Sequence, residues 1–373
     1  MLKKEKIIAI FFLVGYIILT LIPNKTIAKT YSRANATSNQ NAGIQQITFK
    51  GWKNAYRLYN NDAEAIIVPN IGRMMSFRLL NSNNVLNINN DNTGKIPSPN
   101  RKKYTFFGGF YTWLAPQSSN TPWPPNYEFD IGPYKIIHKG KRELIMLSPI
   151  VKSFGLQVEK RFKLSEKNAI LSVRIRLYNR TNILLRWSAW NLTAVKPTGI
   201  AFFDLPEMQN PYDSFHYEGT EGKKRAKEHF NRIIHIITEQ QTSSKNTHRC
   251  AAVDLRQYKW KGEKLFVHPH SKFLAYHLPG NWFIRTFSAS GSFGDYNTQV
   301  QLWADLKREN IFELEVVAPD KIIPPQKYID WNEQMIIISD NNEVDSNYEQ
   351  QAIKLKIILN QLTRLLGQVK SKK

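Results

Sequence analysis

Ile170-Leu171-Ser172-Val173-Arg174-Ile175-Arg176-Leu177-Tyr178 is the passage that decides the fold class. Its apolar residues alternate with polar ones: Val173, Ile175 and Leu177 share one face, and Arg174, Arg176 and Tyr178 share the other. A period of two is that of a strand with one buried and one wet face. Working outward, similar short runs occur at Ala63 to Val68, Met74 to Leu80, Tyr134 to His138, Leu144 to Leu147, Leu156 to Leu164 and Leu184 to Thr193. Further runs lie at Phe273 to His277, Trp282 to Phe287, Thr298 to Leu302, Phe312 to Val317 and Gln334 to Ile338. Clusters of Asn, Gly, Pro and Asp separate them, which predicts an all-β, antiparallel sandwich over 47–340. With 42% hydrophobic and 12% aromatic residues, including nine Trp, the chain has enough apolar material for a large core.

The ends of the chain have a different character. Lys3, Lys4 and Lys6 precede an apolar run from Ile7 to Ile22, and Thr26-Ile27-Ala28 follows. This pattern predicts a signal peptide over 1–28 and export to the periplasm or beyond the cell; the alternative is an uncleaved signal that anchors the chain. Residues 29–46, rich in Ser, Asn, Thr and Gln without apolar periodicity, read as a disordered linker. In the tail, Ala352, Leu355, Ile358 or Leu359, Leu362, Leu366 and Val369 recur at helical spacing, which predicts an amphipathic helix over 347–370. That helix either packs across the domain or lies on an anionic membrane surface as a peripheral contact. Lys223 to Thr238, basic and then apolar, reads as a short helix or a hairpin arm.

The net charge is +22, of which the first 28 residues carry +3 (four lysines against Glu5), leaving +19 after cleavage. Such a surface attracts anions, anionic glycans among them. Lys and Arg are scattered, and no zinc finger, helix-turn-helix or aromatic RNA-binding motif accompanies them, so nucleic acid is not the expected partner. Cys250 is the only cysteine, which excludes an internal disulfide. No phosphate loop, dinucleotide fingerprint or nucleophile elbow is present, and no cofactor is expected. His268-Pro269-His270 lacks the further ligands of a metal site, and none is assigned. His138, His235 and His277 lie in strand-like surroundings, where a single His usually serves the core or an edge.

Several motifs, taken together, resemble the domain of unknown function 4380 family, whose members have a galactose-mutarotase-like fold. They run in order: Gly51-Trp52-Lys53; Val68-Pro69-Asn70-Ile71-Gly72-Arg73; Phe107 to Gln117, with Gly108-Gly109 and Trp113; Trp123-Pro124-Pro125; Gly155 to Phe162; Asn179-Arg180-Thr181 ahead of Trp187-Ser188-Ala189-Trp190; and Phe312-Glu313-Leu314-Glu315 with Pro319. They cover roughly Gly51 to Ile338. The resemblance implies an antiparallel supersandwich with a groove suited to sugars, and no established reaction.

Sugar recognition uses flat apolar surfaces under the ring and a few fixed polar groups for the hydroxyls. Tyr111, Trp113 and Trp123 sit in a Gly- and Pro-rich stretch that is not expected to be regular core strand throughout, and with Trp190 they are the candidate platforms. Gly108-Gly109 permits close backbone approach to a ligand or serves a bulge. Glu313 and Glu315, two apart on one strand, put both carboxyls on the same side, and such crowding is expected to raise one pKa. Glu315 resembles the general base of the aldose epimerases, which makes it the leading candidate, with Glu313 beside it. Arg73, Gln117 and Arg285 are the candidate hydroxyl or anion clamps; structural ion pairs are their alternative.

The sequence departs from the resemblance at three points. Trp190-Asn191 stands where the epimerases have a His, Phe110 stands where the family has its His after Gly-Gly, and Gln117 replaces its Glu. These losses of titratable groups favour binding without turnover, or a changed reaction. Three readings follow: an exported carbohydrate-binding sandwich, an aldose-1-epimerase-like isomerase with Glu315 as base and no identified acid, and a non-catalytic structural protein of the cell envelope.

Overall fold

A computed structural model describes residues 42–117, 124–240, 247–259, 261–269, 271–288, 290–306 and 310–370. The signal peptide, most of the linker, Trp123 and His270 lie outside them. In chain order the strands are β1 (Gly43–Phe49), β2 (Trp52–Tyr59), β3 (Ala63–Val68), β4 (Arg73–Leu79), β5 (Phe110–Ala115), β6 (Lys135–Gly140) and β7 (Glu143–Leu147). There follow β8 (Leu156–Leu164), β9 (Ile170–Asn179), β10 (Leu185–Val195), β11 (Ile200–Leu205), β12 (Phe215–Gly219), β13 (Ile234–Gln240) and β14 (Thr247–Asp254). The last are β15 (Lys261–Val267), β16 (Phe273–Leu278), β17 (Asn281–Thr286), β18 (Val300–Asp305), β19 (Ile311–Val317), β20 (Lys321–Ile323) and β21 (Tyr328–Ser339). The α-helices among the described residues are α1 (Tyr127–Asp130), α2 (Lys223–Phe230) and α3 (Tyr348–Lys370).

The strands form two antiparallel sheets. The first runs β1-β2-β3-β4-β5-β10-β19-β18-β15-β12, with β20 also paired to β10. The second runs β13-β14-β11-β16-β17-β21-β9-β8-β7-β6. This is the antiparallel two-sheet sandwich expected from the sequence, with a C-terminal helix.

β9 behaves as its alternation requires. Val173, Ile175 and Leu177 join the central core, while Arg174 and Arg176 face outward to carboxylates of Glu159 and Asp330. The two sheets meet through contacts such as Phe110 of β5 against Phe162 of β8, edge to face at 6.1 Å. Arg285 of β17 crosses the same interface. Fully buried, it donates to Glu333 at 2.7 Å and to the carbonyl of Leu314 at 2.8 Å.

The structure departs from the sequence-based expectations in two places and decides between stated alternatives in two more. β1 opens at Gly43, inside the stretch read as linker. Phe110–Ala115 is a wholly buried strand, because its Gly and Pro residues flank it and do not interrupt it. Lys223 to Thr238 is both things expected of it, since α2 is followed by the hairpin arm β13. Finally, the apolar stripe of α3 is occupied: Ala352, Leu355, Ile358 and Leu362 pack on Ile200, Phe202, Trp282 and Ile336 of the second sheet. That stripe is therefore not exposed for a membrane, and among the described residues no helix is long and apolar enough to cross one.

Candidate functional site

Cross-strand register decides which side chains share a face. Tyr111 of β5 lies opposite Leu192 of β10, Leu192 opposite Glu315 of β19, Glu315 opposite Gln301 of β18, and Gln301 opposite Phe266 of β15. In the neighbouring row Ala194, Glu313, Trp303 and Lys264 follow one another across the same strands. Trp113 lies opposite Trp190. Residues two apart on a strand share a face, so one surface gathers Tyr111, Trp113, Trp190, Glu313, Glu315 and Lys264. Their neighbours Phe110, Thr193 and Leu314 point the other way, into the interface where Arg285 lies. The candidate face is thus the side of the first sheet turned away from the second. The chain between β4 and β5 covers part of it, with Tyr104 edge-on to Trp113 at 5.8 Å and Phe106 packed with Ala194 and Ile311.

At its centre, the Lys264 ammonium sits 2.8 Å from Glu315 Oε2, and the Trp190 indole N–H donates to the same oxygen at 2.6 Å. Lys264 also lies 4.2 Å from the Trp190 ring centroid and donates to Gln117 Oε1 at 3.2 Å. The Tyr111 hydroxyl donates to Glu313 Oε1. No described residue bonds Glu315 Oε1 or Glu313 Oε2. Burial, reinforced by Glu315 and opposed by the Tyr111 hydrogen bond, pushes the Glu313 carboxyl up to about 8. At neutral pH this carboxyl therefore keeps its proton. The Tyr111 hydroxyl is raised well above its ordinary value, by burial first and by Glu313 second. Gln117 is exposed and Trp303 half-buried, whereas the two carboxyls and both indoles are buried.

A second layer fixes the aromatic wall. Asp130, wholly buried on α1, accepts from Arg73 at 2.7 Å, from Arg101 at 2.7 Å and from the Trp113 indole at 2.8 Å. The Arg73 guanidinium lies 3.8 Å from the Tyr111 ring centroid. Burial works against the Arg73 charge, but Tyr104, Asp130 and Tyr111 outweigh it and raise the pKa. Gly108 and Gly109 both take left-handed backbone conformations. A side chain at either would collide with the carbonyl of Asn87 or Met74, so the pair brings two backbone segments together beside the site.

The structure brings together Glu315, Glu313, Trp190, Trp113, Tyr111 and Gln117, with Arg73 one layer behind. It does not bring Arg285 to them: that guanidinium is on the opposite side of the sheet, as a structural partner of Glu333. Asn191, at the point where the epimerases have a His, also turns inward, donating to Glu333 at 2.7 Å. Lys264, Trp303 and Asp130 were not singled out in the sequence. For Lys264 the sequence offers no clean signal, because the apolar Phe266 shares its face.

No family model matches the chain, and no curated protein matches it. Among solved structures it is similar to the Slr1438 protein from Synechocystis sp. PCC 6803, with 12% identity over 79% of this chain and 100% of that one, at a TM-score of 0.52. It is also similar to a candidate aldose 1-epimerase from Klebsiella pneumoniae subsp. pneumoniae MGH 78578, with 10% identity over 83% of this chain and 86% of that one, at a TM-score of 0.50. Against a TPR-domain containing protein from Parabacteroides distasonis ATCC 8503, at 15% identity and a TM-score of 0.48, 78% of this chain spans only 48% of that chain. At these identities the likeness is one of fold, and the fold is galactose-mutarotase-like.

Proposed function

We propose that this protein is an exported carbohydrate-binding member of the galactose-mutarotase-like fold, related to the domain of unknown function 4380 family, and that it holds its sugar at the outer face of the first sheet. The supporting observation is the pair Glu313 and Glu315 set among indoles, with Glu315 Oε1 and Glu313 Oε2 not bonded by any described residue. Glu315 Oε1 can accept from a sugar hydroxyl and the protonated Glu313 Oε2 can donate to one, and the half-buried Trp303 offers apolar ring surface beside them. Lys264 and the overall positive charge favour sugars that carry a carboxylate or sulfate. The test is a glycan panel of neutral and acidic members, with Lys264→Met as the paired variant. Retention of acidic glycans that weakens in Lys264→Met supports the reading. Retention of none removes it and leaves a structural role. Export is tested by sequencing the N-terminus of the mature protein, expected to begin at Lys29.

One observation favours turnover as a second reading. A protonated Glu313 beside Glu315 supplies the general acid that the sequence lacks. In mutarotation Glu315 would take the proton of the anomeric hydroxyl while Glu313 gives its proton to the ring oxygen. The bond from C1 to that oxygen then breaks, C1 becomes a carbonyl, and reclosure on its other face returns both protons. Exchange between anomers, followed by NMR on common aldoses, is the assay. A Glu315→Gln protein as fast as the parent would end this reading without touching the binding one.

A further inference from the structure

Ile183, Leu184 and Ile322 are 65%, 64% and 62% exposed, more than any other large apolar side chain among the described residues, and the fold brings all three to one end of the first sheet. The ladder between β10 and β20 places them. Leu185 lies opposite Ile323 and Arg186 opposite Ile322, so Leu185 and Ile323 turn into the core while Leu184, Arg186 and Ile322 share the outward face. Ile183 sits at the turn just before them.

The two segments are fixed to each other. Asn179, buried beneath the turn, donates from Nδ2 to the Ile183 carbonyl at 2.7 Å and to the Ile323 carbonyl at 2.9 Å. Its Oδ1 accepts from the Thr181 amide at 2.8 Å, and Gln326 Nε2 donates to the Thr181 carbonyl at 3.1 Å. Pro324 and Pro325 stiffen the second segment. The apolar tip is therefore held in place, and its side chains do not fold back onto the core.

The collar of this tip is cationic. Residues 179–188 and 320–328 contain Arg180, Arg186, Lys321 and Lys327, all exposed, against the single carboxylate of Asp320. Arg186 lies 3.6 Å from that carboxylate, and Arg180 donates to the neutral Gln157. The ammonium groups of Lys321 and Lys327 make no hydrogen bond or ion pair among the described residues. Single exposed aliphatics are ordinary on a protein surface, but three on one fixed tip ringed by cations mark an interaction surface. A second copy of the chain would set the same cations against each other. An anionic bilayer answers both features, because aliphatic tips enter the acyl boundary while Lys and Arg stay among the headgroups.

We propose that this tip seats the protein on an anionic lipid bilayer, with Ile183, Leu184 and Ile322 below the headgroups and the four cations at their level. The inference does not rest on the carbohydrate reading, and α3, whose apolar stripe is covered by the second sheet, takes no part in it.

The test uses the chain from Lys29, which holds every described residue and omits the apolar run Ile7 to Ile22 that would itself enter lipid. Vesicles of equal parts phosphatidylglycerol and phosphatidylcholine should carry the parent down on sedimentation at about 0.15 M salt, and phosphatidylcholine alone should carry down about tenfold less. The variant with Ile183→Ser, Leu184→Ser and Ile322→Ser should partition about tenfold more weakly, or less still, with an unchanged melting temperature because all three positions are exposed. Lys321→Gln with Lys327→Gln should also cost about tenfold. Ile96→Ser, at an exposed aliphatic of a different segment, should match the parent. Absence of sedimentation with the anionic vesicles would overturn the proposal. So would triple-serine protein that sediments like the parent, which would assign lipid binding to the general positive charge. A parent that is dimeric in solution, with a monomeric triple-serine variant, would give the tip to a second copy of the chain and overturn it as well.

Discussion

The outer faces of the two sheets are covered in opposite ways. On the second sheet, Ile200, Phe202, Trp282 and Ile336 meet an amphipathic helix, and apolar surface is buried against apolar surface. On the first, two carboxyls and an ammonium are buried among indoles and a phenol. Removing apolar area from water stabilises at about 25 cal/mol per Å², whereas burying an ionisable group costs free energy that its partners only offset. The second face therefore accounts for stability, and the first breaks the same rules in one place. Local violations of that kind are what a functional site requires.

The largest effect expected from this contrast comes from ending the chain before Tyr348. The four residues Ala352, Leu355, Ile358 and Leu362 are lost from the cluster, and each large one is worth about 1.5–3 kcal/mol. Their sum is comparable to the whole stability of a typical domain, roughly 5–15 kcal/mol. The truncated protein should lose its cooperative melting transition in calorimetry. A transition within about 5 °C of the parent's would mean that the helix is an accessory and that the comparison fails.

Next in size is Asp130→Ala, which strips the Arg73 guanidinium of its carboxylate. Arg73 is wholly buried, so the loss should be about 3–5 kcal/mol in urea unfolding, the cost of an uncompensated buried charge. Trp113 loses its indole acceptor in the same variant, so any sugar affinity should fall further than stability alone explains. The analogous change on the other face, Lys354→Ala, removes a partly exposed ammonium while Asp340 keeps its bond from the Trp282 indole, and should cost far less.

The same contrast explains what could be read from the sequence. β9 was legible because one of its faces is wet, so polarity marks the buried side. β17 was legible as a strand but not in orientation. Trp282 and Ile284 face the helix while Phe283 faces the core, so both sides are apolar, and nothing local indicates that Arg285 turns inward. Lys264 was hidden by Gly262, which takes a left-handed conformation where the β15 register slips and breaks the alternation. Asp130 belongs to a four-residue helix without periodicity, and its importance comes only from Arg73, Arg101 and Trp113, brought to it by the fold. The pairing of Glu313 with Glu315 was visible because two-residue spacing on a strand is a local property.

The dependence on pH is what most sharply separates the two faces, because only charged groups respond to it. Glu313 binds its proton in the folded state up to about pH 8, against an ordinary value of 4.5. Between those values the native protein holds a proton that the unfolded chain has released, so its contribution to stability is complete below about pH 4.5 and declines as pH rises toward 8. Lys160, buried between the sheets and donating to the Gly72 carbonyl at 2.9 Å, acts in the opposite sense. Burial first, and Arg73 second, lower its pKa from 10.5 to about 7, so the native state lacks a proton that the unfolded chain keeps, and stability is regained from about pH 7 upward. The melting temperature of the parent should therefore fall from pH 5 toward a minimum near neutrality. Glu313→Gln, which cannot titrate, should flatten the descending limb and leave the rise above pH 7 in place. Leu355→Ala, on the apolar face, should lower the whole curve without changing its shape. Parallel curves for Glu313→Gln and the parent would mean that this carboxyl is ionised in the folded protein, and the acid required for turnover would have to be sought elsewhere on the face.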